Sequence, residues 1–202
     1  HEEIVPAVFE AYSIAVSGKP GPVFMEIPVE IQLYKGVVDY LPQFAMKESA
    51  PEPDAEKIKE AADSLIKAER PGIFAGWGAR EADNRLMNIA ELLNAPVATT
   101  LQGLSVFPAE HSLHTGMGFG PYSVPAATKA FKQCDCLLAV GVSFGEIPTG
   151  SFGMKVPENL IHIDIDPDVF HKNYPARVAI EGDSAVVLQN LFERLDERRA
   201  DV

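Results

Sequence analysis

The chain has 202 residues, 47% hydrophobic and 23% charged, a composition that excludes a disordered protein and reads as one domain plus an appendage. No apolar run approaches the roughly 20 residues of a membrane-crossing helix, so no membrane partner is expected. Lys and Arg total 17 against 29 Asp and Glu, and a formal charge of −12 repels phosphate backbones, so nucleic acid is not an expected partner.

The first residue is His1 rather than Met, which reads as a fragment of a longer protein. Over residues 3–17, Ile4, Val8, Tyr12, Ala15 and Val16 recur at steps of three and four and predict a helix. Gly18-Lys19-Pro20-Gly21-Pro22 stops it and turns the chain. Val23-Phe24-Met25-Glu26-Ile27 predicts a strand closed by Pro28. A helix and one strand bury no core of their own, so this unit needs partners. Residues 32–53, with Pro42, Pro51 and Pro53 and no periodicity, read as a linker.

From Asp54 the pattern becomes regular. Asp54 caps a helix whose inner face is Ile58, Ala61, Ala62, Leu65 and Ile66. Ile73-Phe74-Ala75 is a strand running into Gly76-Trp77-Gly78, and a helix with Leu86, Ile89, Ala90 and Leu93 inside follows. Pro96–Thr100 is the next strand, and residues 102–122 form a glycine-rich, aromatic loop. His111 and His114 lie in that loop without a third metal ligand. Ser123 caps a helix to Lys132, with Pro125 in its first turn. Cys134 and Cys136 have no second ligand pair nearby and read as small apolar residues entering a buried strand. Reduced thiols without a signal peptide predict a cytoplasmic protein.

Strands follow at Leu137–Val140, ending at Gly141, at 160–165 and at 178–180. The last helix starts after Gly182-Asp183-Ser184 and buries Leu188, Leu191, Phe192 and Leu195. Its Arg194, Arg198 and Arg199 alternate with acids and read as a solvated helix end. Continuous apolar strands alternating with helices predict an open, doubly wound α/β domain with a mostly parallel sheet at about 54–197.

Ligands of such sheets bind outside the carboxyl ends of the strands. Gly76-Trp77-Gly78 stands there, as a cradle for a diphosphate or as a tight strand-to-helix turn. Alternation sends Ile161, Ile163 and Ile165 to one face and His162, Asp164 and Asp166 to the other. The two carboxylates suit ribose hydroxyls, although Asp166 before Pro167 equally caps the following turn. His162 reads as a packed core histidine, and Asp183 first of all as a helix cap. No G-x-S-x-G, H-E-x-x-H or P-loop sequence occurs, and no nucleophile–base pair stands out.

Gly18–Pro28 resembles the segment closing the pyrimidine-binding domain of thiamine diphosphate enzymes. Ala95–Leu104, His111–Met117, Asp135–Gly141, Ile161–Pro167, Lys172-Asn173 and Gly182-Asp183 then follow in that family's order. The ordered set is similar to the central region of acetolactate synthase-like enzymes. The resemblance implies the end of the pyrimidine-binding domain at 1–31, a linker at 32–53 and a Rossmann-like (DHS-like) central domain at 54–202. It implies a homo-oligomeric parent, a transferase or lyase, that decarboxylates a 2-keto acid or joins the carbanion to a second carbonyl. Thiamine diphosphate and Mg²⁺ serve that reaction. The family's activating glutamate has no match here, and Gly182-Asp183 is followed by Ser184 rather than by the family's metal-binding glycine. Both sites are therefore expected outside the chain, with the chain inactive by itself.

The resemblance also implies nucleotide contacts. Gly76, Trp77 and Gly78 would lie by the diphosphate, Thr100 and Leu101 near a flavin, Asp164 and Asp166 by ribose and adenine, and Gly182 and Asp183 near adenine, with Gly141 and Ser143 also among the cofactor-binding positions. The sequence departs from the flavin-binding pattern Gly-x-Arg-Phe-Asp-Asp-Arg at Gly141–Ile147, where Ser143 replaces the cation and Glu146 adds a negative charge. The loop Gly116–Gly120 is also shorter than usual. FAD, ADP and no nucleotide stand as alternatives, with an adenine nucleotide expected to bind more clearly than the flavin ring. A nucleotide-binding module without catalysis, and a structural spacer and oligomerisation domain, are the other two readings.

Overall fold

The computed structural model describes residues 1–45, 51–118 and 120–200. Residues 46–50 of the expected linker, Phe119 of the glycine loop and the side chain of Arg199 lie outside the described set. The chain divides into two units, His1–Ala50 and Pro51–Val202. In the first, α1 (Ile4–Val16) forms as its periodicity predicts, and Phe44 packs its ring against Phe9 and Tyr12 at 5.2 and 5.3 Å. The strand expected at 23–27 is absent: residues 20–28 run without a sheet partner, and Phe24 is 87% exposed. A strand is defined by the neighbour that takes its hydrogen bonds, and the described residues of this unit offer none. A short α2 (Val29–Leu33), which the prolines obscured, follows directly.

The second unit is built on six parallel strands: β1 (Pro71–Ala75), β2 (Val97–Thr99), β3 (His114–Met117), β4 (Cys136–Val140), β5 (Asn159–Asp164) and β6 (Val178–Glu181). Their order is β3-β2-β1-β4-β5-β6, so the chain reverses direction across the sheet at β1 and β4. Helices α3 (Ala55–Lys67), α4 (Asp83–Leu93) and α6 (Ser184–Ala200) cover one face, and α5 (Pro125–Phe131) helps to cover the other.

The layering follows from one crossover hand. A right-handed parallel connection places its crossover on one face when the chain moves one way and on the opposite face when it reverses. Accordingly α4 and the β2–β3 connection, through Leu86, Ile89, Val106 and Phe107, pack on the face of α3 and α6. The three connections that run towards β6 supply Phe131, Phe144, Met154 and Tyr174 to the other face. Within β4 the alternation is explicit: Leu138 and Val140 face the helical layer, while Leu137 and Ala139 face away.

Local details differ from the sequence reading at several points. Asp54 caps α3 by accepting from the N–H groups of Glu56 and Lys57, and Ile58, Ala61, Ala62 and Leu65 are buried. Ile66, expected inside, is 40% exposed, because the four buried residues already occupy the inward arc of the helix. Ser123 does not cap α5: its hydroxyl bonds Gly120, and Val124 holds the cap position before Pro125. Phe192 of α6 is only partly buried. His114 belongs to the edge strand β3 rather than a loop; that strand pairs with β2 through an irregular register. Its sequence His-Thr-Gly-Met lacks the apolar run that marks the other strands.

Candidate functional site

The carboxyl ends of the strands gather most of the residues singled out above, but they do not form one site. Where the strand order reverses, the turn after β1 meets the turn after β4. The Gly76 N–H donates to Val140 O at 2.9 Å, and the Gly78 N–H donates to Gly141 O at 3.3 Å. A Cβ at Gly76 would overlap the Gly141 carbonyl oxygen, and one at Gly78 would lie 2.7 Å from Gly141 Cα. Gly141 itself has φ +61°, a left-handed conformation that suits glycine. These glycines let two backbones touch; the Gly76 and Gly78 amides are spent on the end of β4 and its turn, and the Gly141 N–H donates to Ile163 O at 2.8 Å. Trp77 stands out into solvent with the Arg80 guanidinium 5.4 Å from its ring.

The carboxylates are occupied in a similar way. Asp164 is 7% exposed, and its Oδ1 accepts the Asp166 N–H at 3.0 Å. Asp166 accepts the Asp168 N–H and caps the turn Pro167–Val169. Asp183 accepts from Ala185 and Val186 at the start of α6, while the Gly182 N–H donates to Asp164 O. The Ser184 hydroxyl reaches back to Gly78 O at 2.8 Å, tying α6 to the glycine turn. Ser143 is exposed on the loop after β4.

His162 is fully buried, edge-on to Phe144 and Phe170 at 5.0 Å each. Its Nε2 lies 2.8 Å from Val142 O. A carbonyl only accepts, so Nε2 carries the proton and Nδ1 is left as an acceptor without a partner. Burial pushes its pKa down to about 4, with His171 adding to the shift. Burial likewise pushes the thiols of Cys134 and Cys136 up to about 12. His111 pairs with Glu91 at 3.1 Å and packs with His114 against Phe107. Among the described residues no three His, Cys, Asp or Glu side chains gather as a metal site.

A cavity on this side of the sheet lies one step away, between the loops after β2, β3 and β4. Its volume is about 180 Å³, and Thr100 and Leu101 line it with Met117, Tyr122, Ile147 and Pro148. The sequence reading found the first two and missed the others. They are apolar residues in or beside glycine-rich loops, a signal overlooked in favour of glycines and carboxylates.

The family model described as thiamine pyrophosphate enzyme, central domain, matches residues 58–191. The chain belongs to that family. A probable acetolactate synthase large subunit of Methanocaldococcus jannaschii is 36% identical over 96% of this chain and 34% of that protein. Acetolactate synthase isozyme 2 large subunit of Escherichia coli is 34% identical over 97% of this chain and 36% of that protein. The chain thus spans about a third of the length of the curated relatives it matches. A structure described as a thiamin diphosphate-dependent enzyme from Mycobacterium smegmatis superposes with TM-score 0.80 at 25% identity, covering 96% of this chain and 38% of that one. The thiamine pyrophosphate enzyme central domain therefore accounts for the whole six-stranded sheet. No helix of the described residues is long and apolar enough to cross a membrane.

Proposed function

We propose that the chain is the central region of a thiamine diphosphate-dependent 2-keto acid carboligase or decarboxylase, of acetolactate synthase type. In this reading residues 1–31 end the pyrimidine-binding domain, 32–53 link, and 54–202 form the central domain of a cytoplasmic homo-oligomer. The observation that carries it is the central-domain match across the sheet, alongside relatives that are acetolactate synthases.

Thiamine diphosphate supplies the carbanion chemistry in such enzymes, and its Mg²⁺ requires a set of hard oxygen ligands. The described residues bring no such set together, so they do not fit that site, and no catalytic step is assigned to them. A nucleotide diphosphate fits poorly too, because the Gly76 and Gly78 amides already donate within the protein. That observation favours a second reading, a domain that supports its neighbours and holds no nucleotide.

The protein of the complete reading frame should release CO₂ from a 2-keto acid only with thiamine diphosphate and Mg²⁺. The 202-residue chain under the same conditions should match a protein-free control. An inactive complete protein would sink the enzymatic reading, and turnover by the chain alone would sink the supporting role given to it.

A further inference from the structure

We infer that the strand-end cleft accepts one uncharged ring, of about the size of benzene, and that the domain excludes nucleotide diphosphates. The exclusion begins at the reversal of the sheet. A helix or turn binds phosphate through backbone N–H groups that point outward and lack partners. Here the Gly76 N–H is held by Val140 O and the Gly78 N–H by Gly141 O. The two turns touch so closely that neither glycine tolerates a methyl group, so no gap remains between them. Residues 141–147 of the loop after β4 then offer Ser143 and Glu146, and no Lys or Arg to offset a diphosphate.

The neighbouring cleft has the opposite character. Leu101, Met117, Ile147 and Pro148 give it apolar walls, and none of its described lining residues is charged. Its Ser123 and Thr100 hydroxyls are engaged inside the protein. Ser123 Oγ accepts from the Gly120 N–H at 2.5 Å and donates to Gly120 O at 2.6 Å. Thr100 Oγ1 accepts from the Gly103 N–H at 3.0 Å. A charged occupant would lose hydration and meet no countercharge among the described lining residues, whereas an apolar one loses nothing.

Volume sets the size. An apolar cavity of about 150 Å³ holds benzene, and pockets for drug-sized ligands begin at about 300 Å³. At about 180 Å³ the cleft encloses one six-membered ring, and the three fused rings of a flavin would extend beyond it into solvent. Tyr122 and Ile147, 76% and 72% exposed, stand at its mouth, and a bound ring would remove part of that apolar surface from water.

The inference is independent of the reaction proposed above, because the 202-residue chain itself is the sample. Benzene is titrated against methyl-labelled protein, with benzoate, ADP and FAD as comparisons. Benzene should shift the Met117 and Ile147 methyl signals saturably. Benzoate should bind at least tenfold more weakly, and ADP and FAD should leave the Gly76 and Gly78 amide signals in place. Ile147→Arg, at an exposed position that leaves the remaining spectrum unchanged, should weaken benzene at least tenfold. A benzene response that is absent, non-saturable or insensitive to Ile147→Arg would overturn the ring site. Benzoate binding as tightly as benzene would overturn its neutrality. ADP or FAD shifting the Gly76 and Gly78 amides would overturn the exclusion.

Discussion

At the scale of single residues, His162 shows how a side chain's surroundings set its chemistry. The fold holds the ring neutral between Phe144 and Phe170, with a pKa near 4 against an ordinary value of about 6.5. A depressed folded-state pKa means that its stabilisation is complete above about pH 6.5 and is lost as pH falls towards 4. The loss approaches about 3 kcal/mol at the lower limit. Urea midpoints at pH 7.5 and 4.5 should show a smaller acid-induced drop for His162→Gln than for the parent chain; equal drops would refute this. Gly141 makes a conformational test. A side chain there adopts φ +61° and presses on the Gly78 backbone. Gly141→Ala should cost about 3 kcal/mol in denaturant unfolding, from left-handed strain plus overpacking. A loss below about 1 kcal/mol would mean that the two turns separate easily. From sequence, alternation set His162 on the face opposite the isoleucines, and its residue type read as a packed core histidine. Its bond to Val142, twenty residues away, was not legible, because loop paths carry no periodicity.

At the scale of elements, caps and buried stripes were the most legible features. Asp54 and Asp183 sit where a helix leaves N–H groups unpaired, and both side chains supply the acceptors. Asp183→Ala should lower stability by about 1 kcal/mol, and Asp183→Asn, which still accepts, should restore most of it. A neutral alanine variant would free Asp183 for a ligand role instead. Helices α3 and α6 are joined further along by Arg198 and Asp63, 2.6 Å apart, and that bond lowers the Asp63 pKa. Ser123 resembled a cap because its residue type and the following proline fit the pattern. It bonds Gly120 instead, whose φ of +154° turns the backbone within its reach. Strand β3 was missed because an edge strand is half-buried and needs no apolar alternation.

At the scale of the whole molecule, the two units differ in what they bury. None of the residues of α1 is buried, and Val23, Phe24 and Met25 remain exposed on a segment without strand partners. In the other unit β4 is buried along its whole length between β1 and β5. Amides of 23–27 should therefore exchange with solvent at least a hundredfold faster than those of 136–140, read residue by residue in dilute protein. Equal protection would mean that the first unit has found a sheet, in this chain or in a second copy. Exposed apolar surface on an unpaired segment also favours association, so this contrast should shrink as concentration rises.

The sequence by itself determined the class of the second unit. Apolar runs of strand length alternating with amphipathic helices leave a covered parallel sheet as their way of burying both faces, and the ordered motifs pointed to the thiamine diphosphate enzyme family. Local chemistry also settled the caps of α3 and α6, since capping depends on residues only two or three apart. Tertiary structure decided the contacts at the strand ends. Gly76-Trp77-Gly78 was compatible with both a phosphate cradle and a closed turn, and Gly141, far along the chain, closes the turn by taking the Gly78 N–H. Tertiary structure likewise left 23–27 without a ladder and opened the apolar cleft between three loops. These outcomes depend on which distant backbone arrives beside a residue. Periodicity reports the face that a residue turns inward, but not the partner waiting there.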